Sequence, residues 1–353
     1  MTMNKMIAGG LATLALGMTV TGAWAESVTG AGSSAAAPIY RSWGAAYEKA
    51  TGDKLAYESI GSSAGIRKIR VGEVGYGASD VAPSAGELKK DGLVAFPIAI
   101  TGIAPVVNLP KIGDGQLRLD GTVLARIFMG QINAWNAPEI AQLNPGLALP
   151  NLPIRVVVRS DGSGTSYNFS DYLAKVHPQW KSAFGVNTSI KWPEQFLAAK
   201  GSEGVVKAVG ATLGSIGYVD FGYVRDYKLA AVQMANQSGQ FLSPSNEGFR
   251  AALNASDWVL SGNFTSTLTN MPARGAWPIT MGTFALVPQV SAKPQETASA
   301  LRFIVWSFMH GDELVQQQNF VRLPNHVQAA AFKVIASVTD RSGKPIGMQL
   351  TGF

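Results

Sequence analysis

The sequence predicts an α/β fold with a mainly parallel sheet, on three observations. Short strand-like runs alternate with amphipathic helical segments along most of the chain. Three strand-to-helix junctions are built from Gly and small hydroxyl residues, at Ser33-Ser34, Ser62-Ser63 and Ser163-Gly164-Thr165. The chain has 353 residues, 46% of them hydrophobic, and no cysteine. It is therefore long enough for two domains with real cores and has no disulfide framework.

Met1–Ala25 reads as a secretory signal peptide. It has Lys5 as its only charge, an apolar Gly- and Ala-rich run, and Ala23-Trp24-Ala25 as a small-x-small cleavage pattern. A mature chain is expected to begin at Glu26, free in a bacterial periplasm.

Ser27–Gly32 predicts a strand, and Pro38 opens a helix carrying Tyr40, Trp43 and Tyr47 that ends at Gly52. Strand Lys54–Ser59 runs into Gly61-Ser62-Ser63-Ala64-Gly65, followed by a helix with Ile66 and Ile69. Tyr76–Asp80 reads as a buried strand ending on a carboxylate. Val94–Ile100 and Ile103–Val107 read as two further strands.

Short helices are predicted at Thr122–Met129, Pro138–Leu143 and Gly204–Val209. Strands are predicted at Ile154–Val158, Ser215–Val219, Leu229–Met234 and Phe284–Val287. The C-terminal part is helical over Thr297–Met309, Glu313–Phe320 and His326–Val338. Trp258, Trp277 and Trp306 read as core residues.

Ile154–Ser170 carries the strongest chemical signal. A β-branched strand runs into Arg159, a turn through Ser160-Asp161-Gly162, the hydroxyls of Ser163, Thr165 and Ser166, and then a helix. The first amides of a helix have no partner within it, and its dipole favours negative charge there. Arg159 adds a planar, permanently charged fork suited to tetrahedral oxyanions. Each Gly/Ser junction alone could be a helix cap. Three junctions, with Arg159 and the strand-end Asp80, point to one anion site outside the carboxyl ends of the strands.

Other classes are poorly supported. The turn is not a nucleotide P-loop, because no G-x-x-x-x-G-K-[ST] occurs. His177, His310 and His326 are isolated, without ligand spacing, and read as surface or loop residues; no metal or cofactor is expected. Net charge is +6 with the basic residues scattered, which gives nucleic-acid binding little support. One enzyme alternative stays open: Gly61-Ser62-Ser63-Ala64-Gly65 fits G-x-S-x-G, with Ser63 as nucleophile of a serine hydrolase or phosphatase.

Thr29-Gly30-Ala31-Gly32, Ile60-Gly61-Ser62-Ser63, Gly77-Ala78-Ser79-Asp80, Arg159-x-Asp161-Gly162-Ser163-Gly164-Thr165-Ser166 and Ala276-Trp277-Pro278-Ile279-Thr280 stand in that order. Lys191-Trp192-Pro193 and Gly214–Val219 lie between them. Together they resemble the periplasmic phosphate-binding proteins of bacterial phosphate ABC transporters, over nearly the whole mature chain.

The resemblance implies a two-domain periplasmic binding protein of the type II kind, with a ligand cleft between domains. Domain one would be residues 26–102 plus 278–353, and domain two residues 103–277. It implies phosphate ligands at Ser34, Ala35, Ser62 and Asp80 from the first domain. Arg159, Ser163, Gly164 and Thr165 would come from the second, with Asp161 orienting Arg159. It further implies a monomer that serves a membrane permease. Many family members have Thr then Phe where this chain has Ser34 then Ala35, so the hydroxyl and amide are kept and a shielding ring is lost.

Phosphate near neutral pH carries a proton that a buried carboxylate can accept, whereas sulfate carries none. Asp80 is thus the expected selectivity residue. Arsenate is also protonated and stays an alternative ligand.

Overall fold

The computed structural model describes residues 27–350. The signal-peptide reading of Met1–Ala25 lies outside them. The main sheet contains β1 (Ser27–Gly32), β2 (Lys54–Ser59), β3 (Tyr76–Ser79), β4 (Leu93–Asn108), β5 (Arg155–Arg159), β6 (Leu197–Ala199), β7 (Ser215–Asp220), β8 (Ala230–Ala231) and β9 (Thr280–Pro288). Their spatial order is β2-β1-β3-β9-β4-β7-β5-β6, with β8 also on β4. The α/β class is as expected. Pairing is parallel at the two ends, β1 with β2 and β3, and β5 with β6 and β7. In the middle, β9 and β4 run antiparallel to their neighbours.

The two strands expected at Val94–Ile100 and Ile103–Val107 are one continuous strand, β4. Thr101-Gly102 reads as a break, but Gly102 is there for packing: a Cβ on it would lie 1.9 Å from the Phe249 ring. The first half of β4, to Gly102, pairs with β9, and from Ile103 onward it pairs with β7. A second correction concerns Leu229–Met234. It splits into Ala230–Ala231, on β4, and Gln233–Ala235, which joins a small separate sheet with Arg118–Leu119 and Phe241–Leu242. The split falls at Val232, whose N–H bonds the Pro105 carbonyl.

Four helices matter for the site: α1 (Ala37–Thr51), α2 (Ser62–Arg70), α3 (Gly164–Val176) and α4 (Gly201–Ala211). On α1, Tyr40, Trp43 and Tyr47 are buried as their spacing predicts. Tyr40 stacks on Tyr57 of β2 at 4.6 Å between ring centres. The helix stops at Gly52, whose φ of 86° is left-handed and whose N–H closes on the Glu48 carbonyl.

Of the C-terminal helices, Pro294–His310 packs on β1 and Asn325–Ala336 on β4. Trp258 and Trp277 are core residues, and Trp306 is partly buried against the core. His310 and His326 are exposed, while His177 is nearly buried at a helix start, its ring nitrogen accepting the Trp180 N–H. Among the described residues no helix is long and apolar enough to cross a membrane.

Candidate functional site

The three Gly/Ser junctions, at the carboxyl ends of β1, β2 and β5, are brought together around Asp80 at the end of β3. At the first, Ser33 donates its hydroxyl to Asp80 Oδ2 at 2.7 Å and accepts the Ala36 N–H at the start of α1. Ser34 and Ala35 are both buried. This edge is therefore covered, and the Tyr223 phenol bonds the Ser34 carbonyl there at 2.9 Å.

At the second junction, α2 starts after Gly61 without a side-chain cap. The Ser62 hydroxyl oxygen accepts two amides, from Asp80 at 3.1 Å and from Gly164 at 3.2 Å. Its own proton has only Asp80 Oδ2 at 3.5 Å, a long contact that leaves it free to turn to another acceptor.

At the third, the Ser163 hydroxyl caps α3 by accepting the Ser166 N–H at 3.1 Å. The cap reading and the ligand reading are compatible, since a capping hydroxyl keeps its proton to donate. The Gly164 amide is spent on Ser62 in this arrangement. Thr165 is 1% exposed, and its hydroxyl is buried without a hydrogen-bond partner.

Arg159, with its side chain 2% exposed, is held in place by a two-pronged bond. Nε reaches Asp161 Oδ1 at 2.7 Å and Nη2 reaches Oδ2 at 2.5 Å. Asp161 Oδ1 also accepts the Gly201 N–H at the start of α4. Burial pulls the Asp161 carboxyl upward, but bonding to Arg159 and its charge more than offset this and hold it below the usual carboxylate range. Two of the five guanidinium donors are spent on this orientation, leaving others for an anion.

Asp80 is 3% exposed. Burial pushes its carboxyl up to about 6, against the Ser33 hydroxyl, the nearby Thr283 hydroxyl, the Arg159 charge and Ser62. At neutral pH it is mainly ionised and acts as an acceptor. Oδ1 is buried without a partner. Unpaired buried polar atoms cost about 1–3 kcal/mol each, so natural proteins keep few of them without a use.

The sequence reading missed several residues that shape this region. Ser202 begins α4, and its N–H and hydroxyl both meet the Ser34 hydroxyl, at 3.1 and 3.0 Å. Lys200-Gly201-Ser202 after β6 is a fourth strand–Gly–Ser–helix junction and could have been found by the same pattern. Asn168, one turn into α3, donates to the Asp80 carbonyl at 2.7 Å. A single Asn in a helix gives no such signal.

Ser63 is held by groups other than His177 and His310. Its hydroxyl donates to Thr188 at 3.1 Å, its N–H bonds the Gly162 carbonyl, and neither His177 nor His310 bonds it. The hydrolase alternative is not favoured.

Helix starts from distant chain segments bring buried hydroxyls, the Arg159 guanidinium and the Asp80 carboxylate into one region, as in a solute-binding protein. Residues 19–309 match the PBP superfamily domain. A phosphate-binding protein PstS of Haemophilus influenzae is 43% identical over 305 residues, 86% of this chain and 91% of that protein. One of Xylella fastidiosa (strain Temecula1) is 43% identical over 297 residues, 84% of this chain and 81% of its own. By fold, a phosphate-binding protein from Stenotrophomonas maltophilia superposes with a TM-score of 0.66 at 20% identity, covering 87% of this chain and 93% of that one. The chain belongs to the PstS family of phosphate-binding proteins. That family is one of substrate-binding proteins rather than enzymes.

Proposed function

We propose that this protein binds inorganic phosphate in the periplasm, as a monomer without catalysis, and delivers it to the membrane permease of a phosphate ABC transporter. The observation that carries the reading is a single buried region with three complementary features. It holds an unpartnered carboxylate oxygen on Asp80, an unpartnered hydroxyl on Thr165, and the spare donors of Arg159. A dihydrogen or monohydrogen phosphate matches them, with oxygens that accept and one P–O–H that donates. Ser34, the Ala35 amide, Ser62, Ser163 and Gly164 complete the proposed shell. A handful of charge-assisted bonds at about 1.5–3 kcal/mol each exceeds the roughly 8 kcal/mol of micromolar binding, even after desolvation and closure.

The proposed two lobes are residues 26–102 with 278–353, and residues 103–277. Support comes from β4, which changes partners between Gly102 and Ile103. At the return crossing, Trp277 donates its indole N–H to the Ile103 carbonyl at 2.9 Å. Both lobes supply shell residues, so phosphate would favour the closed form and shift the hinge equilibrium toward it. The permease would then recognise the closed shape.

Asp80→Asn tests the reading. The amide no longer repels a fully deprotonated oxyanion, so phosphate-over-sulfate discrimination should collapse in calorimetric titrations at pH 7.5. Equal discrimination by mutant and wild type would remove Asp80 from the role.

A further inference from the structure

We propose that Thr283 is a specificity-determining residue: its buried hydroxyl supports the carboxylate of Asp80 as an acceptor, and so sets how acidic a medium the site tolerates before it stops telling phosphate from sulfate. This deepens the phosphate-binding reading and rests on it.

The placement follows from strand register. β9 runs antiparallel to β3, with Phe284 opposite Ser79 and Ala285 opposite Ala78. The ladder ends there, and continuing the same register one residue beyond β3 would set Thr283 opposite Asp80, where directly opposed residues project to one face of the sheet. On its other edge β9 shifts register against β4 between Thr283 and Phe284. Such irregularities re-aim a side chain and recur beside functional sites.

Thr283 is fully buried, and its hydroxyl has no hydrogen-bond partner. Asp80 Oδ1 is likewise buried and unpartnered, whereas Oδ2 is held by Ser33 at 2.7 Å. Thr283 and Asp80 thus bring a buried, unpartnered hydroxyl and a buried, unpartnered carboxylate oxygen to adjoining segments, and the hydroxyl lies close enough to act on the Asp80 charge. A hydroxyl donor there favours the ionised carboxylate over the neutral acid. A neutral Asp80 would donate a hydrogen bond to sulfate and lose the repulsion on which discrimination depends.

The other groups acting on Asp80 are accounted for. Arg159 favours its charge, while Ser33 and Ser62 do so by bonding. Asp220, at the end of β7, interacts with it unfavourably, and the phenols of Tyr40 and Tyr57 lie in the same field. Burial still leaves the group titrating near pH 6. The loss of one donor thus falls within an accessible range.

The experiment is competition between phosphate and sulfate from pH 5 to 8, on wild type, Thr283→Val, Thr283→Ala and Thr283→Ser. Each variant is compared with wild type at the same pH, so that ionisation of the anions themselves cancels. Wild-type discrimination should fall as pH drops through about 6. With Val or Ala the fall should begin higher by about half to one pH unit, costing roughly threefold to tenfold in the phosphate-to-sulfate affinity ratio near pH 6.5. Ser should restore the wild-type profile.

A superimposable pH profile in both Val and Ala variants would overturn the inference. A uniform loss of affinity for both anions without a shift would also overturn it, as that marks a structural role only. Failure of the wild-type protein to bind phosphate would sink the underlying reading instead.

Discussion

Gly164 donates its amide N–H to the hydroxyl oxygen of Ser62 at 3.2 Å, across 102 residues of sequence. The two proposed lobes touch here, with no side chain on the Gly164 side of the contact. A Cβ on Gly164 would meet Ser62 Oγ at 2.6 Å, Asp80 Cβ at 2.7 Å and the Asp80 amide nitrogen at 3.0 Å.

Gly164→Ala should therefore hinder closure more than it harms either lobe. Alanine suits the first turn of a helix, so α3 itself should form normally. Phosphate affinity is expected to fall by roughly tenfold or more, a loss of about 1.4 kcal/mol. The melting temperature without phosphate should change little, and the upward shift that phosphate causes should shrink. Unchanged calorimetric affinity would show that the contact does not limit closure.

Arg159→Ala should weaken phosphate binding by roughly tenfold or more, the value of one charge-assisted contact. It also strands the Asp161 carboxylate, which is paired with Arg159 at 2.5 Å. Removing one partner of a buried pair is destabilising in itself. Adding Asp161→Asn should recover much of the lost stability and none of the lost affinity. Denaturant titration beside calorimetry separates the two effects; recovery of affinity in the double variant would mean that Arg159 acts on folding alone.

Asp220, at the end of β7, accepts the Gly222 N–H at 2.8 Å and bonds the Thr101 hydroxyl at 2.6 Å. Burial pushes its carboxyl up to about 8, which the bonds from Thr101 and Gly222 only partly oppose, and Asp80 and Asp226 add to the push. An unfolded chain would lose this proton near 3.8, the ordinary value, while the folded protein keeps it until about 8. In that window the folded state binds more protons, so stability falls as pH rises and levels off beyond it.

Asp80 contributes a slope of the same sign only up to about 6. Between pH 6 and 8 the decline belongs chiefly to Asp220, and Asp220→Asn should flatten it. Denaturation midpoints at pH 6 and 8, without phosphate, would contradict this if both proteins lost stability equally.

Much of the site was legible because its signals are local. Gly32-Ser33-Ser34, Gly61-Ser62-Ser63 and Ser163-Gly164-Thr165 each follow a predicted strand, and chain chemistry alone says that a helix starts there. The Arg159–Asp161 pair is two residues apart and reads directly. Thr283, Asn168 and Tyr223 were not legible, since each meets the site only through strand register or helix phase fixed by the whole fold. Ser202 lay between: its Gly-Ser start resembles the others, but the helix was expected to begin at Gly204.

The single strand β4 was misread for a related reason. Gly102 looks like punctuation in one dimension, and only the Phe249 ring packed against it shows otherwise. Likewise, alternation of strands and helices reveals parallel units but not the antiparallel β9 between β3 and β4, which arrives from residues 280–288.

The central claim is that segments remote in sequence enclose one protonated tetrahedral anion. Isothermal titration of ligand-stripped protein at pH 7.5, with phosphate, arsenate and sulfate in parallel, tests it most directly. Saturable binding of one phosphate per chain at micromolar concentration or below, with sulfate at least a hundredfold weaker (about 2.7 kcal/mol), is the expected result. Sulfate binding as tight as phosphate, or no heat from phosphate at all, would contradict it.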